Sequence, residues 1–492
     1  MTLTLAELAA RLPGCRLSGD PSVAISEVGH DSRSLKPGSL FVAIRGLVID
    51  GNGFVDAALR KGALAVASEG APRAGTPWLQ VPDAREALAV LSAVVLGEPA
   101  QGLELVGITG TNGKTTTACL IDAALRASGR RVGLLGTVQY RIGERLAEAV
   151  RTTPESSDLQ ALLREMADAG CSHAVLEVSS HSLALKRVHG CAFKVAVFTN
   201  LTRDHLDFHG DMDGYFAAKR LLFDAYLRPD GHAIVNADDD RATELVQISR
   251  GKIWTYSLCR LADLKAEGIR LTLDGTHFLA KTPVGSFEVA TPLLGRFNVQ
   301  NLLAALGASL ALGVPAETAL GGLVSLAGVP GRLERVEAGQ DFTVIVDYAH
   351  TDDALKNLLE TLRELNPRRV LTVFGCGGDR DRSKRPLMGA VASRLSDVVI
   401  VTSDNPRSEP AEAILDEIER GMNGGRGGER YRIVDRRDAI AKALELAGAG
   451  DVVVIAGKGH ETSQVLRDRT IPFDDRQVAR EALGRLAVRG RA

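Results

Sequence analysis

Short apolar runs alternate with amphipathic stretches along most of this chain, and the alternation predicts the order of its elements. An apolar run at 103–108 predicts a buried strand, which breaks into a glycine-spaced turn before a helical pattern at 115–127. Helical patterns such as 157–169 separate further predicted strands, at 131–136, 173–178, 195–200 and 232–236. This pattern favours a mostly parallel sheet with helices on both faces.

A second strand–helix series begins near residue 333. Its helical patterns include 354–365 and 439–447, and its predicted strands are 343–348, 369–374, 397–402, 431–434 and 451–456. No G-x-G-x-x-G motif follows the first of these strands, so the Rossmann-like pattern does not support a dinucleotide cofactor. Between the two series, residues 268–291 predict a small antiparallel appendage.

The first hundred residues have a different pattern, in which turn-rich segments separate short strands such as 40–44. They predict a small domain, with residues 97–99 as a linker. We therefore predict an α/β protein of three domains. These are a small N-terminal α/β domain (1–98), a central P-loop-type domain with a mostly parallel sheet (99–332) and a C-terminal Rossmann-like domain (333–492).

Composition narrows the class of protein. Apolar residues make up 45% of the 492 residues, but the longest unbroken apolar runs are too short to cross a bilayer, and no secretion signal is recognisable. Six scattered cysteines predict free thiols, and a net charge of −2 argues against nucleic acid as the main partner. We expect a cytoplasmic monomer that neither inserts into membranes nor binds nucleic acid.

The glycine-spaced turn gives the strongest chemical signal. Residues 106–117 (VGITGTNGKTTT) place a strand, a glycine loop, a lysine and a helix start in that order. Loop N–H groups, the helix N-terminus and Lys114 attract an anion, and the Thr115 hydroxyl can bind Mg²⁺. The spacing departs from the strict P-loop, because Gly107 and Gly113 enclose five residues and not four. We interpret the segment as an ATP phosphate loop and not as an ordinary βα turn.

Polar residues follow other predicted strands as well. Glu177 ends an apolar strand and is placed to hold Mg²⁺, the alternative being a carboxylate that caps the next helix. His205, in the polar loop 199–207, is a candidate metal ligand, although a lone loop histidine is more often structural. Lys219 lies on a helix predicted to begin near residue 212, and its spacing alone favours an exposed lysine.

Two further groups predict ligand contacts. Asn298 and Asn301 share a face at a helix start, where their amides could contact an adenine or cap the helix. In the C-terminal series, four strand ends carry Asp, His, Arg or Glu, at 347–350 (DYAH), 375–382 (GCGGDRDR), 404–407 (DNPR) and 457–461 (GKGHE). Ligands of such sheets bind beyond the carboxyl ends of the strands, so these ends predict a polar substrate pocket.

Together these motifs resemble the Mur ligases, the ATP-dependent amide ligases of peptidoglycan precursor synthesis. The resemblance spans nearly the whole chain in the family's order and rests on 110–116, 177–181, 200–207, 218–219, 298–301 and 347–350. Segments 375–381 and 404–407 resemble the branch that adds meso-diaminopimelate.

The resemblance implies a reaction and a biological role. ATP would phosphorylate the D-glutamate γ-carboxylate of a UDP-muramoyl dipeptide, and the amine of meso-diaminopimelate would displace phosphate from the acyl phosphate. The implied role is in cell wall biogenesis, and through it in cell shape and cell division.

The resemblance also implies a nucleotide and metal site. The lysine that matches Lys219 is carbamylated in the family, which turns a cation into an anion able to bind metal. The implied metal ligands are Thr115, Glu177, His205 and Lys219 as its carbamate, and the implied catalytic groups are Lys114, Glu177, His205 and Lys219. Positions that match ATP contacts are Gly110, Thr111, Asn112, Gly113, Lys114, Thr115, Thr116, Asn298, Asn301, Arg332 and Asp347.

Substrate contacts follow from the same resemblance. Positions that match contacts to the UDP-muramoyl dipeptide are Ser32, Thr152, Thr153, Ser179 and Arg187. Positions that match the diaminopimelate pocket are Arg380, Asp404, Asn405, Pro406, Arg407, Gly457 and Glu461. A guanidinium there can bind the distal carboxylate and a carboxylate the distal ammonium. Lysine as substrate would leave a buried Arg407 unpaired, at a cost of at least ~1–3 kcal/mol.

Two positions depart from the family pattern, and alternatives stay open. Asp352 stands where relatives commonly have Pro and is expected to cap the helix, and Leu185 stands where some have Gln. The alternatives are an L-lysine-adding ligase and another ligase of the superfamily, such as a folylpolyglutamate synthetase. The N-terminal domain and 404–407 argue against the synthetase. A nucleotide-switch protein is a further alternative, and the absence of an N-K-x-D motif from the chain argues against it.

Overall fold

The computed structural model describes residues 2–46, 48–272, 275–422 and 428–489. It has the mixed α/β fold predicted from the sequence, with one main sheet in each of the N-terminal, central and C-terminal parts of the chain. None of the described helices combines the length and the apolar character needed to cross a membrane.

The N-terminal part is built on a five-stranded sheet. Its strands are β1 (Leu3–Thr4), β2 (Arg16–Ser18), β3 (Ala24–Ile25), β4 (Glu27–Gly29), β5 (Ser39–Ala43), β6 (Ala65–Ser68) and β7 (Trp78–Gln80), and its helices are α1 (Leu5–Ala9), α2 (Val55–Arg60) and α3 (Ala84–Val95). The sheet order is β2-β7-β6-β5-β4, and β1 pairs separately with β3. Alternate residues of β5 face two cores: Leu40 and Val42 pack on the α3 side, Phe41 and Ala43 on the α2 side.

The central part is an eleven-stranded sheet with helices on both faces. Its strands are β8 (Glu104–Thr109), β9 (Val132–Leu135), β10 (Gln139–Ile142), β11 (Arg145–Glu148), β12 (His173–Glu177), β13 (Phe193–Phe198), β14 (Leu227–Asn236), β15 (Lys252–Ser257), β16 (Leu264–Thr272), β17 (Gly275–Thr282) and β18 (Gly285–Thr291). Its helices are α4 (Lys114–Ala127), α5 (Ser156–Asp168), α6 (Ser180–Ala184), α7 (Leu206–His209), α8 (Met212–Asp224), α9 (Ala242–Ile248), α10 (Arg296–Ala311) and α11 (Ala316–Ser325).

Parallel pairing in this sheet brings the predicted loops together. The order is β11-β10-β9-β12-β8-β13-β14-β15-β16-β17-β18, and β8 pairs in parallel with both β12 and β13. Glu177 lies opposite Ile108, and Phe198 opposite Thr109, so three polar loops leave the same edge of the sheet side by side. The predicted antiparallel appendage is the edge of this sheet, β16 to β18; residues 273–274 of that range lie outside the described residues.

The C-terminal part contains a six-stranded sheet of order β19-β20-β24-β21-β22-β23 and a separate antiparallel pair, β25 with β26. The strands are β19 (Glu334–Arg335), β20 (Thr343–Asp347), β21 (Val370–Phe374), β22 (Val398–Val401), β23 (Glu429–Arg432), β24 (Val452–Ala456), β25 (Ser463–Val465) and β26 (Thr470–Pro472), and the helices are α12 (Asp352–Glu364), α13 (Lys384–Leu395), α14 (Ala411–Glu419), α15 (Arg436–Leu446) and α16 (Asp475–Arg489). Strands β20, β24, β21 and β22 are parallel neighbours, so their four polar ends adjoin.

The start of α12 differs from the expectation for Asp352. The N-cap is Thr351, whose hydroxyl accepts a hydrogen bond from Ala354 N at 3.2 Å. Asp352 lies one residue later, in the first turn, where its negative charge still favours the helix dipole. The prediction that Asp352 caps the helix is therefore wrong, because the preceding threonine already does so.

A buried ion pair contacts the end of β24, at the polar edge of the C-terminal sheet. Arg436, at the start of α15, and Asp475, at the start of α16, have fully buried side chains joined by two hydrogen bonds of 2.8 and 2.7 Å. Arg436 also donates to the carbonyl of Ala456 at 2.9 Å, at the end of β24. One guanidinium thus ties two helix starts to a strand end at the edge where the polar segments lie.

We expect Asp475→Ala to lower the free energy of unfolding of the C-terminal part by about 3–5 kcal/mol, because it leaves the Arg436 cation buried and unpaired. Urea unfolding followed by circular dichroism measures this. The matched control is Glu481→Ala, which breaks the exposed pair with Arg437 and should change stability by about 0–1 kcal/mol. Equal effects of the two substitutions would contradict the role assigned to the buried pair.

Candidate active site

The phosphate loop joins β8 to α4 and is folded back on its own lysine. The Lys114 ammonium donates to the carbonyls of Gly110 and Thr111, both at 2.8 Å. Burial lowers the pKa of Lys114, and the nearby Glu177 carboxylate opposes that shift. The Lys114 side chain, which would contact a phosphate, is therefore hydrogen-bonded to carbonyl oxygens of its own loop.

The loop owes its shape to the segment that follows β13. Thr111 N donates to Asn200 O at 2.9 Å, Asn112 N donates to the Asn200 side chain at 2.9 Å, and Thr199 Oγ1 donates to Asn112 O at 2.6 Å. A Cβ on Gly110, whose φ is 150°, would lie 1.8 Å from Thr199 Oγ1. Glycine is required there because the two segments approach so closely.

Glu177 is bound into the loop and not into a helix cap. Its side chain is 1% exposed and accepts from Thr115 Oγ1 at 3.0 Å and from the backbone and hydroxyl of Thr137 at 2.8 and 3.0 Å. The N-cap of α6 is Ser179, whose hydroxyl accepts from Ser182 N at 3.1 Å. The capping alternative for Glu177 is therefore wrong.

A cavity of about 600 Å³ opens in front of the loop, between the central and C-terminal sheets. The predicted site residues that line it are Thr111, Asn112, Gly113, Lys114, Thr115, Thr116, Thr152, Glu177, Ser179, His205, Asn301, Arg332 and Asp347. Gly110 and Asn298 are not among its lining residues. Lining residues that the sequence reasoning missed include Thr137, Asp239 and Asp353, because no motif marks them.

Asn298 and Asn301, the two asparagines of α10, are hydrogen-bonded to each other. Asn298 donates to Leu294 O at 2.8 Å, and Asn301 donates to the side chain of Asn298 at 3.0 Å. Asn301 also accepts from Thr117 Oγ1 at 3.3 Å, which ties α10 to α4 beside the loop. Asn301 therefore faces the cavity, and Asn298 supports it from within the protein.

Lys219 is buried, contrary to the exposed lysine that its spacing alone favoured. It is 1% exposed, because the face of α8 that carries it packs against the sheet, and its ammonium lies 4.3 Å from the centre of the Tyr215 ring. Burial and the Lys114 cation lower its pKa well below the usual value. Among the described residues, no carboxylate lies within 4.0 Å of its ammonium. The amine is thus desolvated, and the Asp204 and Asp239 carboxylates, which oppose the pKa shift, lie beyond ion-pair distance.

His205 lies at the start of α7 with φ 54°, in the left-handed region. Its ring is 4.8 Å from that of His181, and its Nε2 is 3.4 Å from Asp204. Partial desolvation and the neighbouring cations lower the pKa of His205, although its side chain is 44% exposed and Asp204 opposes the shift. The ring is therefore neutral near pH 7, which is the form that binds metal.

The predicted Mg²⁺ site requires ligands beyond unmodified His, Cys, Asp and Glu side chains. Within the described ranges, no group of three His, Cys, Asp or Glu residues is arranged to hold a metal ion. Glu177 and Thr115 contact one another and offer oxygen ligands, which suit Mg²⁺. Further ligands would have to come from His205, from a modified Lys219 or from bound phosphates.

Arg332, the last residue of the central range, and Asp353 of the C-terminal part reach across the cavity to the loop. Arg332 donates to Thr115 Oγ1 at 3.4 Å, and its guanidinium lies 4.7 Å from the centre of the Tyr348 ring. Asn112 donates to Asp353 at 3.3 Å. Asp347 accepts from Leu333 N at 2.7 Å and so holds the segment that presents Arg332.

Of the residues predicted to hold the dipeptide, Thr152 and Ser179 line the cavity, and Thr153 is hydrogen-bonded to the strand end that carries Glu177. Thr153 Oγ1 donates to the carbonyl of Glu177 at 2.8 Å, and Arg187 pairs with Glu155 at 2.6 Å. Next to Arg187, Lys186 pairs with two acidic residues of the N-terminal part, Asp83 at 2.8 Å and Glu86 at 2.7 Å. Ser32 is a half-buried residue of the N-terminal part.

A separate polar cluster occupies the ends of β21, β22 and β24. Asn405 donates to Glu461 at 2.9 Å, and Arg407 donates to Gly378 O at 2.7 Å. Asp404 and Pro406 are buried beside them, and Gly457 must lack a side chain because its Cβ would lie 2.7 Å from Asp404. Arg407 is half-buried, and not fully buried as expected from the sequence, and Arg380 is exposed.

Three family models match this chain. They are described as the Mur ligase family, catalytic domain (residues 24–95), the Mur ligase middle domain (108–309) and the Mur ligase, glutamate ligase domain (331–459). Their order along the chain is the order of the three main sheets.

The proteins and solved structures that this chain resembles are named as ligases. The chain is 49% identical to a UDP-N-acetylmuramoyl-L-alanyl-D-glutamate–2,6-diaminopimelate ligase of Solibacter usitatus, over 94% of this chain and 95% of that protein. A solved structure of a ligase of the same name matches with a TM-score of 0.72 and 36% identity, over 99% of this chain and all of that one. The MurF ligase of Thermotoga maritima, solved with ADP, matches with a TM-score of 0.65 over 95% and 98% of the chains, but at 21% identity this likeness concerns the fold.

We expect Gly113→Ala to weaken binding of a nucleoside triphosphate by about tenfold or more, equivalent to about 1.4 kcal/mol. Its φ is 86°, and a Cβ there would lie 2.5 Å from Asn301 Oδ1. The control is Gly129→Ala at the end of α4, with φ 79° and no atom within 4 Å. Both variants strain the backbone, but only the first should change affinity measured by titration calorimetry. Equal affinities would contradict the assignment of this loop.

Proposed function

This chain belongs to the Mur ligase family, and we propose that it adds meso-diaminopimelate to UDP-N-acetylmuramoyl-L-alanyl-D-glutamate. It is an ATP-dependent amide ligase of peptidoglycan precursor synthesis. The observation that carries the choice of amino acid is the cluster of Asn405, Arg407 and Glu461, which combines groups for a carboxylate and for an ammonium.

We propose that the protein acts in the cytoplasm. We also propose that each of its three parts binds one substrate. Residues 1–98 would bind the uridine end of the nucleotide precursor, 99–332 ATP, and 333–492 the amino acid. The Lys186 ion pairs support this division, because they join the N-terminal part to the segment that contains Arg187. The dipeptide would then extend from Ser32 past Thr152, Thr153, Ser179 and Arg187 to the phosphate loop.

The reaction forms one amide bond at the expense of one ATP. An oxygen of the D-glutamate γ-carboxylate attacks the γ-phosphorus, and ADP leaves. The amine of the amino acid then attacks the acyl carbon, the C–O bond to phosphate breaks, and phosphate leaves while the nitrogen loses a proton. The protein's main tasks are to position the reactants and to neutralise charge.

We propose that the phosphate loop and the residues that face it position ATP and neutralise the charge of its phosphates. Lys114 would exchange the carbonyls of Gly110 and Thr111 for the phosphates, and Arg332, at the end of the central range, would add a second cation. Asn301 lines the cavity and would contact the nucleotide, supported by Asn298, and Asp347 would hold the segment that presents Arg332.

Mg²⁺ fits this site, because Thr115 and Glu177 offer oxygen ligands and His205 is neutral. These residues, together with Lys219 as its carbamate, would hold it. When bound, Mg²⁺ supplies positive charge that neutralises the phosphate oxygens during transfer.

The state of Lys219 supports the carbamate. A lowered pKa favours the neutral amine of Lys219, and a neutral amine can attack CO₂ to form an N–C bond and release one proton. The product is an anion, which would no longer be repelled by Lys114 and could contact a metal ion. A buried lysine without a counter-ion at ion-pair distance thus becomes a favourable group once modified.

The choice of diaminopimelate is tested by comparing amino acids. We expect the purified protein, with ATP, Mg²⁺ and the UDP-muramoyl dipeptide, to release phosphate with meso-diaminopimelate and at least about tenfold more slowly with L-lysine, because Arg407 is then left without its carboxylate. Arg407→Ala should reduce this discrimination, whereas Arg437→Ala, an exposed arginine of the same part, should preserve it. Equal or reversed preference in the wild type would refute the assignment.

The carbamate is tested through Lys219→Ala. The variant should lose activity by about a hundredfold or more, since the carbamate's negative charge is gone. Short carboxylic acids should restore part of it by occupying the vacated space. Lys252→Ala, a surface lysine on β15, serves as the control and should behave as wild type. Full activity of Lys219→Ala without added acid would exclude the role.

A further inference from the structure

Lys458 lies between two residues of the predicted amino-acid pocket, in the polar strand end 457–461, although it was not itself predicted to contact the amino acid. It follows β24 and is fully buried. Its ammonium donates to Glu461 Oε2 at 2.8 Å and to Asn405 Oδ1 at 3.1 Å. A buried lysine needs partners of this kind, and here both partners are proposed substrate contacts.

The contacts determine which way the Asn405 amide points. Its oxygen accepts from Lys458 and from the backbone N–H of Val465 at 2.9 Å, so both of its lone pairs are used. Its nitrogen donates one hydrogen to Glu461 Oε2 at 2.9 Å. The one group that Asn405 can still offer to a ligand is its second N–H.

Glu461 is oriented by the same lysine. Its Oε2 accepts from both Lys458 and Asn405, and its side chain is 31% exposed. Among the described residues, Oε1 has no hydrogen-bond donor, so this oxygen can accept from a ligand ammonium. The cluster therefore presents one donor and one acceptor next to each other.

We propose that Lys458 is a positioning residue that sets the polarity of this pocket. It directs an amide N–H to a carboxylate and a carboxylate oxygen to an ammonium, which is the pattern of the distal α-amino acid end of diaminopimelate. Without Lys458 the amide loses one of the three hydrogen bonds that fix its orientation, and Glu461 loses its cationic partner. The inference rests on the proposed function, because it concerns the same substrate.

The backbone around Asn405 does not depend on Lys458. Gln464 donates to the Asp404 carbonyl at 2.6 Å, and Asn405 N donates to the Asp404 side chain at 2.6 Å. Val465 would still hold the amide oxygen in one of its orientations. Loss of Lys458 should therefore change the orientation of a side chain while the loop keeps its position.

The test is a double-mutant cycle on the full chain with steady-state kinetics. We expect Lys458→Met, which keeps the apolar stem, to raise the KM for meso-diaminopimelate about tenfold or more, with kcat changed less than about threefold and the other two KM values unchanged. Asn405→Ala should raise the same KM. The two substitutions should be less than additive in the double variant, because Lys458 acts in part through that amide. Lys442→Met, a lysine outside the pocket, is the control.

One further variant tests the inference independently of whether Lys458→Met folds. Asn405→Asp keeps an acceptor for Lys458 and Val465 but replaces the outward N–H, so it should also raise the KM for meso-diaminopimelate. Additive effects in the cycle, a loss confined to kcat or thermal stability, or a wild-type KM in Asn405→Asp would overturn the inference. A wild type that does not prefer diaminopimelate would refute the proposed function instead, before any variant is compared.

Discussion

The site depends on the close approach of two backbone segments that leave neighbouring parallel strands. Residues 110–113 follow β8 and residues 199–202 follow β13, and hydrogen bonds of 2.6 to 2.9 Å join them. No side chain fits between them at Gly110. Once this contact forms, the loop N–H groups, Lys114 and the start of α4 have their positions, and the other residues of the cavity are arranged around them.

Two parts of the chain must meet for the chemistry to occur. The central sheet supplies the phosphate loop and Glu177, but Arg332 and Asp353 approach that loop from the C-terminal side. The contacts are long, at 3.3 to 3.4 Å, and involve polar side chains at the rim of the cavity. Such contacts are individually weak, and the exposed Arg296–Glu364 pair at 3.1 Å and the Arg203–Ser383 hydrogen bond at 3.1 Å add to them.

The sequence predicts those features that depend on local pattern or on parallel pairing. Strand ends marked by polar residues meet where expected, because parallel neighbours end at one edge of a sheet. Features set by tertiary packing are not predictable in this way. The burial of Lys219 depends on which face of α8 meets the sheet, and the contacts of Thr137 and Lys458 depend on residues distant in sequence. The cap of α12 was missed because Thr351 competes with Asp352.

The central claim is that the phosphate loop transfers the γ-phosphate of ATP to a substrate carboxylate. An isotope experiment tests it most directly: the D-glutamate γ-carboxylate is labelled with ¹⁸O, the ligase reaction is run to completion, and the inorganic phosphate is analysed by mass spectrometry. If an acyl phosphate forms, its C–O bond breaks when the amine attacks, and each phosphate released carries one oxygen from the carboxylate. Amide formation accompanied by unlabelled phosphate would contradict the account.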